Sequence, residues 1–217
     1  LPMTLVRDTS RAIRSTLVLW LITAILYPLL MLVLGQLAFS DKANGSLLKN
    51  SQGAIVGSAL IGQPFASERY FWSRPSTTSY STADPAKDEA RVLKTGVSGA
   101  SNLAPSNPAL IVRILGKGDP DPTKRIPGEV GEINRLKAAG ITPTADMVYT
   151  SGSSLDPHIT PEAALAQVAR IAQARNLSTD IVQKLIADHT DRRFLSLFGE
   201  DGVNVLKLNL SLDNPPT

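Results

Sequence analysis

Residues 17–39 read LVLWLITAILYPLLMLVLGQLAF, and no charged residue occurs anywhere from Ser15 to Ser40. As an α-helix these residues would extend about 35 Å, slightly more than the roughly 30 Å hydrocarbon core of a bilayer. The run therefore predicts a transmembrane helix at residues 15–40. Pro28 lies near its middle, where membrane helices tolerate a proline and often kink. The residues that characterise the predicted span are Leu17, Trp20, Tyr27, Pro28 and Phe39.

A cleavable signal peptide and a buried soluble helix fit this run less well than a membrane span. Residues 38–40 resemble the small-x-small site of a signal peptide, but the apolar part of a signal peptide has only about 7–15 residues. A buried helix of a soluble protein rarely runs uncharged for so long. An uncleaved membrane anchor is the favoured interpretation.

The charges that flank the span predict its orientation. Arg7, Arg11 and Arg14 precede it and only Asp8 opposes them, whereas the segment just beyond the span is close to neutral. Because the flank with the excess of Lys and Arg faces the cytoplasm, residues 1–14 are expected to be cytoplasmic. The rest of the chain is then expected outside the cytoplasm of a single-pass protein of the cell membrane.

The sequence beyond the span has the length of one ordinary domain. Residues 41–52 are predicted to be a linker, and residues 53–217 a small domain. The apolar run at 54–61 predicts a strand, and residues 146–150 are a weaker strand candidate. Leucines alternate with polar residues at 206–212, which predicts a half-buried strand near the end of the chain.

Two helices are predicted in the carboxyl half. Residues 160–162 (Thr-Pro-Glu) offer a hydroxyl cap, a proline in the first turn and a carboxylate near the positive end of the helix dipole. This helix is expected to end at residues 175–176. A second helix follows a cap at Ser178 or Thr179. The predicted fold class is a single N-terminal transmembrane helix followed by a small mixed α/β (α+β) extracytoplasmic domain.

Composition excludes several classes of function. The 217 residues include no cysteine, which excludes disulfides, zinc knuckles, iron–sulfur clusters and a cysteine nucleophile. His158 and His189 are the only histidines, so no imidazole-based metal site is expected. Lys and Arg number 22 against 19 Asp and Glu, which gives no basic footprint for nucleic acid. No G-x-x-x-x-G-K-[ST] loop is present, so the chain itself is not expected to hydrolyse ATP.

One segment contains the residue types of a hydrolase. Ser153, Asp156 and His158 lie within a short stretch, and a hydrolase needs a nucleophile, a base and an orienting acid. Groups so close in sequence cannot easily wrap into a triad, and no G-x-S-x-G element is present. A turn that precedes the helix at residue 161 is the simpler interpretation, and a membrane-anchored exported hydrolase remains the alternative.

An aromatic loop offers a second alternative. Tyr70, Phe71 and Trp72 are followed by Arg74, and aromatic residues with arginine are common at binding interfaces. The loop is either a binding site, as in an anchored solute-binding module, or a segment whose rings fill the core.

Several sequence blocks in a fixed order resemble one family. They lie at residues 27–29, 43–47, 57–63, 70–76, 98–108, 151–159 and 204–210. The chain resembles over nearly its whole length the C subunit of the Kdp potassium-transporting ATPase, KdpC. It departs from the family pattern at Ala100, Ala104 and Ser154, where glycine is usual; if those glycines have positive φ, these turns are expected to be slightly strained.

The resemblance implies a non-catalytic accessory subunit of a high-affinity potassium uptake pump. The implied partners are a pore-forming A subunit, an ATP-hydrolysing B subunit and a small F subunit, besides the lipid bilayer. The family role is assembly and a rise in the ATP affinity of the pump, as a catalytic chaperone. No cofactor is expected on this chain, since ATP and K⁺ act through the partners. With the predicted topology, the domain is expected to be an exported cap near the potassium entrance. The candidate partner-contact or loop-structuring residues are Gln63, Tyr70, Phe71, Trp72, Arg74, Asn102, Asn107, Ser153, Asp156 and His158.

Overall fold

The computed structural model describes residues 3–82, 96–116 and 130–213. The chain forms two compact units, Leu1–Leu47 and Leu48–Thr217, which are described separately. The first unit is dominated by one long helix and the second is an α/β domain. This division agrees with the predicted fold class in that the structure has one long apolar helix and a smaller α/β region.

The helix of the first unit runs without interruption from Met3 to Ala38. Its most apolar window has a mean hydropathy of 2.6, and it is long and apolar enough to cross a membrane. Its 36 residues correspond to about 54 Å of helix. It therefore begins twelve residues before the predicted start at Ser15 and carries the basic flank on its first turns.

Pro28 is accommodated by a change of helix type. The α-helices α1 (Met3–Trp20) and α2 (Tyr27–Ala38) are joined by a π-helical segment, Leu21–Leu26. A proline has no N–H and its ring crowds the carbonyl four residues earlier. The wider turn relieves this conflict: the N–H of Tyr27 donates to the carbonyl of Ile22, five residues back. The Thr23 hydroxyl donates to the Leu19 carbonyl at 2.8 Å.

The segment predicted as a linker contains regular structure. A short helix, α3 (Ser40–Ala43), follows the long one, and β1 (Leu47–Lys49) pairs with β2 (Ile55–Ser58) in a two-stranded sheet. The strand predicted at 54–61 is thus confirmed over four residues. The turn between the strands is held by Asn50, whose Oδ1 accepts from the N–H groups two and four residues later.

A three-stranded antiparallel sheet lies near the middle of the domain. Its strands are β3 (His158–Ile159), β4 (Thr190–Asp191) and β5 (Gly202–Asn204), with β5 in the centre. His158 pairs with Asn204, and Asp191 pairs with Gly202. This register places His158 and Asp191 on the two outer strands, on either side of β5.

The predicted caps and the predicted end of the helices in the carboxyl half are confirmed. The Thr160 hydroxyl accepts from the N–H of Ala163 at 3.1 Å, and Ser178 caps the next helix through Ile181. Asn176 ends the first helical stretch in a left-handed conformation. That stretch is broken after Leu165, whose side chain is half exposed. The helices are α7 (Pro161–Leu165), α8 (Val168–Arg175) and α9 (Thr179–Asp188), and three short ones precede them: α4 (Pro108–Leu115), α5 (Glu132–Ala138) and α6 (Ala145–Val148).

The strand predicted at 206–212 is wrong. Residues Val205–Asp213 form the helix α10, capped by Asn204, whose Oδ1 accepts from the N–H of Lys207 at 3.1 Å. Val205, Leu208 and Leu212 recur every three or four residues and are all buried. The weaker strand candidate at 146–150 is also wrong, because it falls largely on α6.

One apolar cluster forms the core of the domain. It is built from the inner faces of α5 to α10 and from the sheet, and it includes two aromatic residues of the loop at 70–74. The largest fully buried side chains of this cluster are Phe71, Leu136, Ile141, Met147, Ile171, Leu208 and Leu212.

Candidate functional site

The structure brings several of the motif blocks together around residues 151–158. The N–H of Gly62 donates to the carbonyl of Leu155 at 2.9 Å. The Ser76 hydroxyl donates to the Ser154 carbonyl at 2.8 Å, and the N–H of Gly99 donates to the Ser153 carbonyl at 3.0 Å. Three loops that are distant in sequence are therefore fixed to this one segment.

Ser154 occupies a position that suits glycine. Its φ is +57°, its side chain is fully buried, and its Oγ lies 2.7 Å from the hydroxyl of Thr77. The strain expected at this substitution is therefore present, and the buried hydroxyl contact offsets part of it. Ala100 and Ala104 have no positive φ, so the same expectation fails at those two positions.

Beside this junction the domain has a cleft of about 340 Å³. Its walls carry five carboxylates but only two arginines and one histidine. The lining residues are Arg74, Asp146, Asp156, His158, Ile159, Thr160, Asp191, Arg192, Glu200, Asp201 and Gly202. Three of the predicted candidate residues, Arg74, Asp156 and His158, thus line the cleft.

Alternating charges cross the cleft in a chain. Arg74 Nη1 lies 3.1 Å from Asp156 Oδ2, and His158 Nδ1 lies 3.5 Å from Asp156 Oδ1. On the other side of the ring, His158 Nε2 lies 3.1 Å from Asp191 Oδ2, and Lys207 Nζ is 3.8 Å from the same oxygen. The chain links the loop at 74 to β3, β4 and α10.

The charge chain shifts two pKa values in opposite directions. Burial raises the pKa of Asp156, but hydrogen bonds from the ring and backbone of His158, with the charge of Arg74, outweigh it and hold the pKa below its ordinary value. The contact with Asp156 raises the pKa of His158 above its ordinary value, burial opposes the rise, and Asp191 adds to it. The protonated imidazole is therefore the form that this site favours.

The same geometry argues against a hydrolase. A catalytic triad needs one imidazole nitrogen directed at the serine, whereas both ring nitrogens of His158 face carboxylates. The Ser153 Oγ instead accepts from the N–H of Leu155 at 3.1 Å. Ser153, Asp156 and His158 are close in sequence but form no nucleophile–base pair. The described parts of the chain also contain no group of three or more His, Asp or Glu residues that could hold a metal ion.

The aromatic loop at 70–74 fills the core. Phe71 is completely buried and Trp72 is 5% exposed. The side-chain amide of Asn209 bonds both backbone groups of Phe71, accepting from its N–H at 2.8 Å and donating to its carbonyl at 3.0 Å. Gln167 does the same for Trp72, at 2.8 Å and 3.2 Å.

Arginines cover the rings that the loop leaves accessible. The guanidinium carbons of Arg135 and Arg170 lie 4.6 and 4.4 Å from the Trp72 ring centroid. That of Arg175 lies 4.7 Å from the centroid of Tyr70. The rings of Trp72 and Tyr70 therefore already contact arginines of the same domain, which favours the loop-structuring role over a solute site.

The other predicted residues have local structural partners. Gln63 donates to the carbonyl of Val56 at 2.7 Å, which fixes the loop after β2. Asn107 caps α4, and Asn102 is exposed with a φ of +51°, a conformation that asparagine tolerates. In the first unit, Leu17, Trp20, Tyr27 and Pro28 lie within the long helix, and Phe39 directly follows its last residue.

Sequence reasoning missed the polar residues that hold these loops. Gln167 was overlooked because it looks like an ordinary polar position of the predicted helix, and Asn209 because it looks like an outward-facing polar position of the strand predicted at 206–212. No sequence pattern near Asp191 indicated that it lies beside His158. Tyr80 was also missed: its side chain is buried, its hydroxyl donates to the Arg74 carbonyl, and burial raises its pKa to about 12.

One family of known proteins matches nearly the whole chain. A family model described as K⁺-transporting ATPase, c chain, KdpC, matches residues 9–214. The chain belongs to the KdpC family. The match includes most of the long helix and almost all of the domain, so it confirms the resemblance seen in the motif blocks.

Three similar KdpC relatives illustrate the match, each named a potassium-transporting ATPase KdpC subunit. That of Microcystis aeruginosa is 64% identical over 211 residues, which cover 97% of each chain. One from Nostoc sp., subunit 1, is 59% identical and covers 97% of this chain and 98% of its own. That of Synechocystis sp. is 51% identical and covers 97% of this chain and 100% of its own. A KdpC chain is an accessory subunit of the K⁺-transporting ATPase and not its catalytic one, which confirms that prediction.

Proposed function

We propose that this chain stabilises the assembly of a high-affinity, ATP-driven potassium uptake pump as its non-catalytic accessory subunit. The family match over residues 9–214 carries the proposal, because it includes both the helix and the domain. The proposed partners are a pore-forming A subunit, an ATP-hydrolysing B subunit and a small F subunit. A domain whose polar loops bond mainly to one another suits a role in contact rather than in catalysis.

The proposed topology places the start of the long helix in the cytoplasm and the domain outside it. Arg7, Arg11 and Arg14 support this orientation, because the flank with the excess of basic residues faces the cytoplasm. The apolar residues that follow then cross the bilayer. The domain is the proposed cap near the potassium entrance.

This topology separates the domain from cytoplasmic ATP. No phosphate-binding loop occurs in the sequence, so any rise in the ATP affinity of the pump is proposed to pass through the partner subunits. The purified full-length chain is accordingly expected to bind no ATP at micromolar concentrations. Tight ATP binding by this chain alone, measured by calorimetry, would contradict the proposed division of labour.

Deletion of the chain tests the assembly role. Cells that lack it are expected to grow poorly at low external potassium, and the pore and ATPase subunits are expected to separate during detergent purification. Supplying the full-length chain from a plasmid should restore both. A pump that assembles and takes up potassium normally without this chain would refute the proposal.

The absence of cysteine allows a direct test of topology. Two variants each introduce one cysteine at an exposed position. Gln173→Cys places it on α8, and Thr9→Cys places it near the start of the long helix. A membrane-impermeant maleimide applied to intact spheroplasts is expected to label the first variant only, and to label Thr9→Cys after lysis. The reverse pattern would invert the proposed orientation.

A further inference from the structure

The loop between β4 and β5, residues 192–201, has an internal structure of its own. Phe194 and Phe198 exchange two backbone hydrogen bonds, at 2.9 and 3.0 Å. Within the described parts of the chain, the loop makes no hydrogen bond or ion pair to any segment outside itself. It is therefore a stiff unit that is positioned by its base, where β4 ends at Asp191 and β5 begins at Gly202.

At this base, His158 contacts Asp191 across the central strand of the sheet. Its Nε2 lies 3.1 Å from Asp191 Oδ2, although the two residues belong to opposite outer strands. Gly202 on the central strand leaves room for the contact, because a Cβ there would lie 3.2 Å from the His158 Cβ and 3.4 Å from its ring. The imidazole thus crosses the sheet and holds the residue from which the loop departs.

The position of the ring suits an imidazole that carries two protons. Its Nδ1 lies 3.5 Å from Asp156 Oδ1, so each ring nitrogen faces a carboxylate oxygen. A neutral imidazole has one N–H and can donate to only one of them, whereas the imidazolium donates to both. Asp156 also accepts from the backbone N–H of His158 at 3.0 Å and pairs with Arg74 at 3.1 Å. It is therefore Asp191 that depends on the charge of the ring.

The other charges near the ring do not replace the imidazolium. Lys207 on α10 lies 3.8 Å from Asp191 Oδ2, at the outer limit of an ion pair. Once the imidazole is neutral, the walls of the cleft carry five carboxylates against two arginines, and repulsion among them favours an outward movement of the loop base. The charged groups are Arg74, Asp146, Asp156, Asp191, Arg192, Glu200 and Asp201.

We propose that His158 is a pH-sensitive clasp on the loop at residues 192–201. When protonated, it holds Asp191, and with it the base of the loop, against the junction at residues 151–158. When neutral, it releases Asp191 and the loop turns outward about its base. The contact with Asp156, to which Asp191 adds, raises the pKa of His158 above its ordinary value. The loop is therefore held at acidic pH and is released as pH rises through the raised pKa.

The size of the movement follows from the length of the loop. Five residues on each side of the turn extend roughly 15 Å, so a rotation of about 20° at the base moves the end of the loop by roughly 5 Å. The side chains of His158 and Asp191 are 36% and 57% exposed, and a pair so exposed shifts an equilibrium by roughly fivefold. The clasp therefore changes the populations of two loop positions and is not an all-or-none release.

Distances between two spin labels test the clasp. The chain has no cysteine, so Ser196→Cys on the loop can be paired with Gln173→Cys on α8 or with Ala138→Cys on α5, all at exposed positions. Pulsed electron paramagnetic resonance is recorded on the full-length chain in detergent. The ratio of displaced to held loop is expected to rise roughly fivefold between about pH 5.5 and about pH 8.5. Distance distributions that do not change with pH in either pair would overturn the proposal.

The two histidines of the chain provide matched variants. The pH response is expected to disappear in His158→Gln and to persist in His189→Gln, since the Nδ1 of His189 faces the Leu185 carbonyl and no carboxylate. A response that survives His158→Gln, or that is lost in both variants, would contradict the clasp. If the urea midpoint of His158→Gln at pH 8.5 is below that of His189→Gln, Asp191→Asn takes its place, with the same expected loss and the same refuting result. These measurements need no partner subunit, so their outcome is independent of the proposed function.

Discussion

Replacement of Gln167 tests whether buried amides hold the aromatic loop. Gln167 is completely buried, and its amide bonds both the N–H and the carbonyl of Trp72. Gln167→Leu keeps a similar volume but can make neither bond. Both backbone groups of Trp72 then remain buried without a partner.

The expected loss can be worked from these contacts. Each buried backbone group left unpaired costs about 1–3 kcal/mol, so two cost about 2–6 kcal/mol. Arg170 also loses one bond to Gln167 but keeps its bonds to the carbonyls of Tyr70 and Glu68. We expect a loss of about 3 kcal/mol in the free energy of unfolding, a large fraction of the roughly 5–15 kcal/mol typical of a domain.

Urea unfolding of the full-length chain in mild detergent measures this loss. Trp20→Phe in all variants leaves Trp72 as the only tryptophan, so its fluorescence reports on the loop itself. Gln173→Leu, on an exposed position of α8, is the control and should change stability by less than about 0.5 kcal/mol. If Gln167→Leu loses less than about 1 kcal/mol, the low end of the cost of one unpaired group, the amide bonds do not hold the loop.

Three further predictions concern the junction around residues 151–158. Gly62→Ala should lower the free energy of unfolding by about 1–3 kcal/mol, because a Cβ there would lie 2.5 Å from the Tyr80 ring. Gly152→Ala is the control, since a Cβ there has no neighbouring atom within 4 Å. Equal urea midpoints for the two variants would refute the clash. Ser154→Ala should be less stable than Ser154→Gly by about 1 kcal/mol, because alanine keeps the strain of a positive φ and glycine does not. The opposite order of melting temperatures would show that the strain is unimportant. Folding raises the pKa of His158, so the stabilisation from its charge is fully present below the unfolded pKa and is lost as pH rises through the folded pKa. The difference in melting temperature between the wild type and His158→Gln should therefore fall from about pH 5.5 to about pH 8.5, a window that brackets the ordinary histidine pKa. A difference that does not change with pH would exclude this charge contact.

The features that sequence alone could predict depend on local physics. A long uncharged apolar run leaves few alternatives to a membrane-length helix, whatever the rest of the chain does. The caps at Thr160 and Ser178 likewise bond to N–H groups three residues away, so their signal is contained within one turn. Such features need no knowledge of the fold.

The error at α10 has a physical origin in overlapping periodicities. Leucines at every second position between 206 and 212 suit a strand, but Val205, Leu208 and Leu212 suit one face of a helix equally well. What decides is Asn204, which ends β5 and caps the helix. Its role depends on where the strand ends, and that boundary is set by pairing with His158, 46 residues away in the opposite strand.

The candidate site could be predicted least, because its contacts are long-range. Gln167 lies 95 residues from Trp72, and Asn209 lies 138 residues from Phe71. No periodicity or spacing can reveal such pairs. The resemblance to a family singled out the loops as motif blocks, but only the folded structure separates residues that hold loops from residues that could contact a ligand.

The distribution of satisfied and unsatisfied groups points to how the domain acts. The side chains that suggested chemistry are used internally: Asp156 and His158 bond to each other and to neighbours on two other segments, and Trp72 is held by a buried amide. A reactive or ligand-binding group needs a polar atom directed at its substrate, whereas both ring nitrogens of His158 and the Nε1 of Trp72 already face partners within the domain. The most exposed large apolar side chains in the described part of the domain instead lie at residues 194–198, and their favourable partner is another apolar surface. A domain whose candidate polar side chains contact one another, and whose large apolar side chains at 194–198 face solvent, is suited to contact with a neighbour.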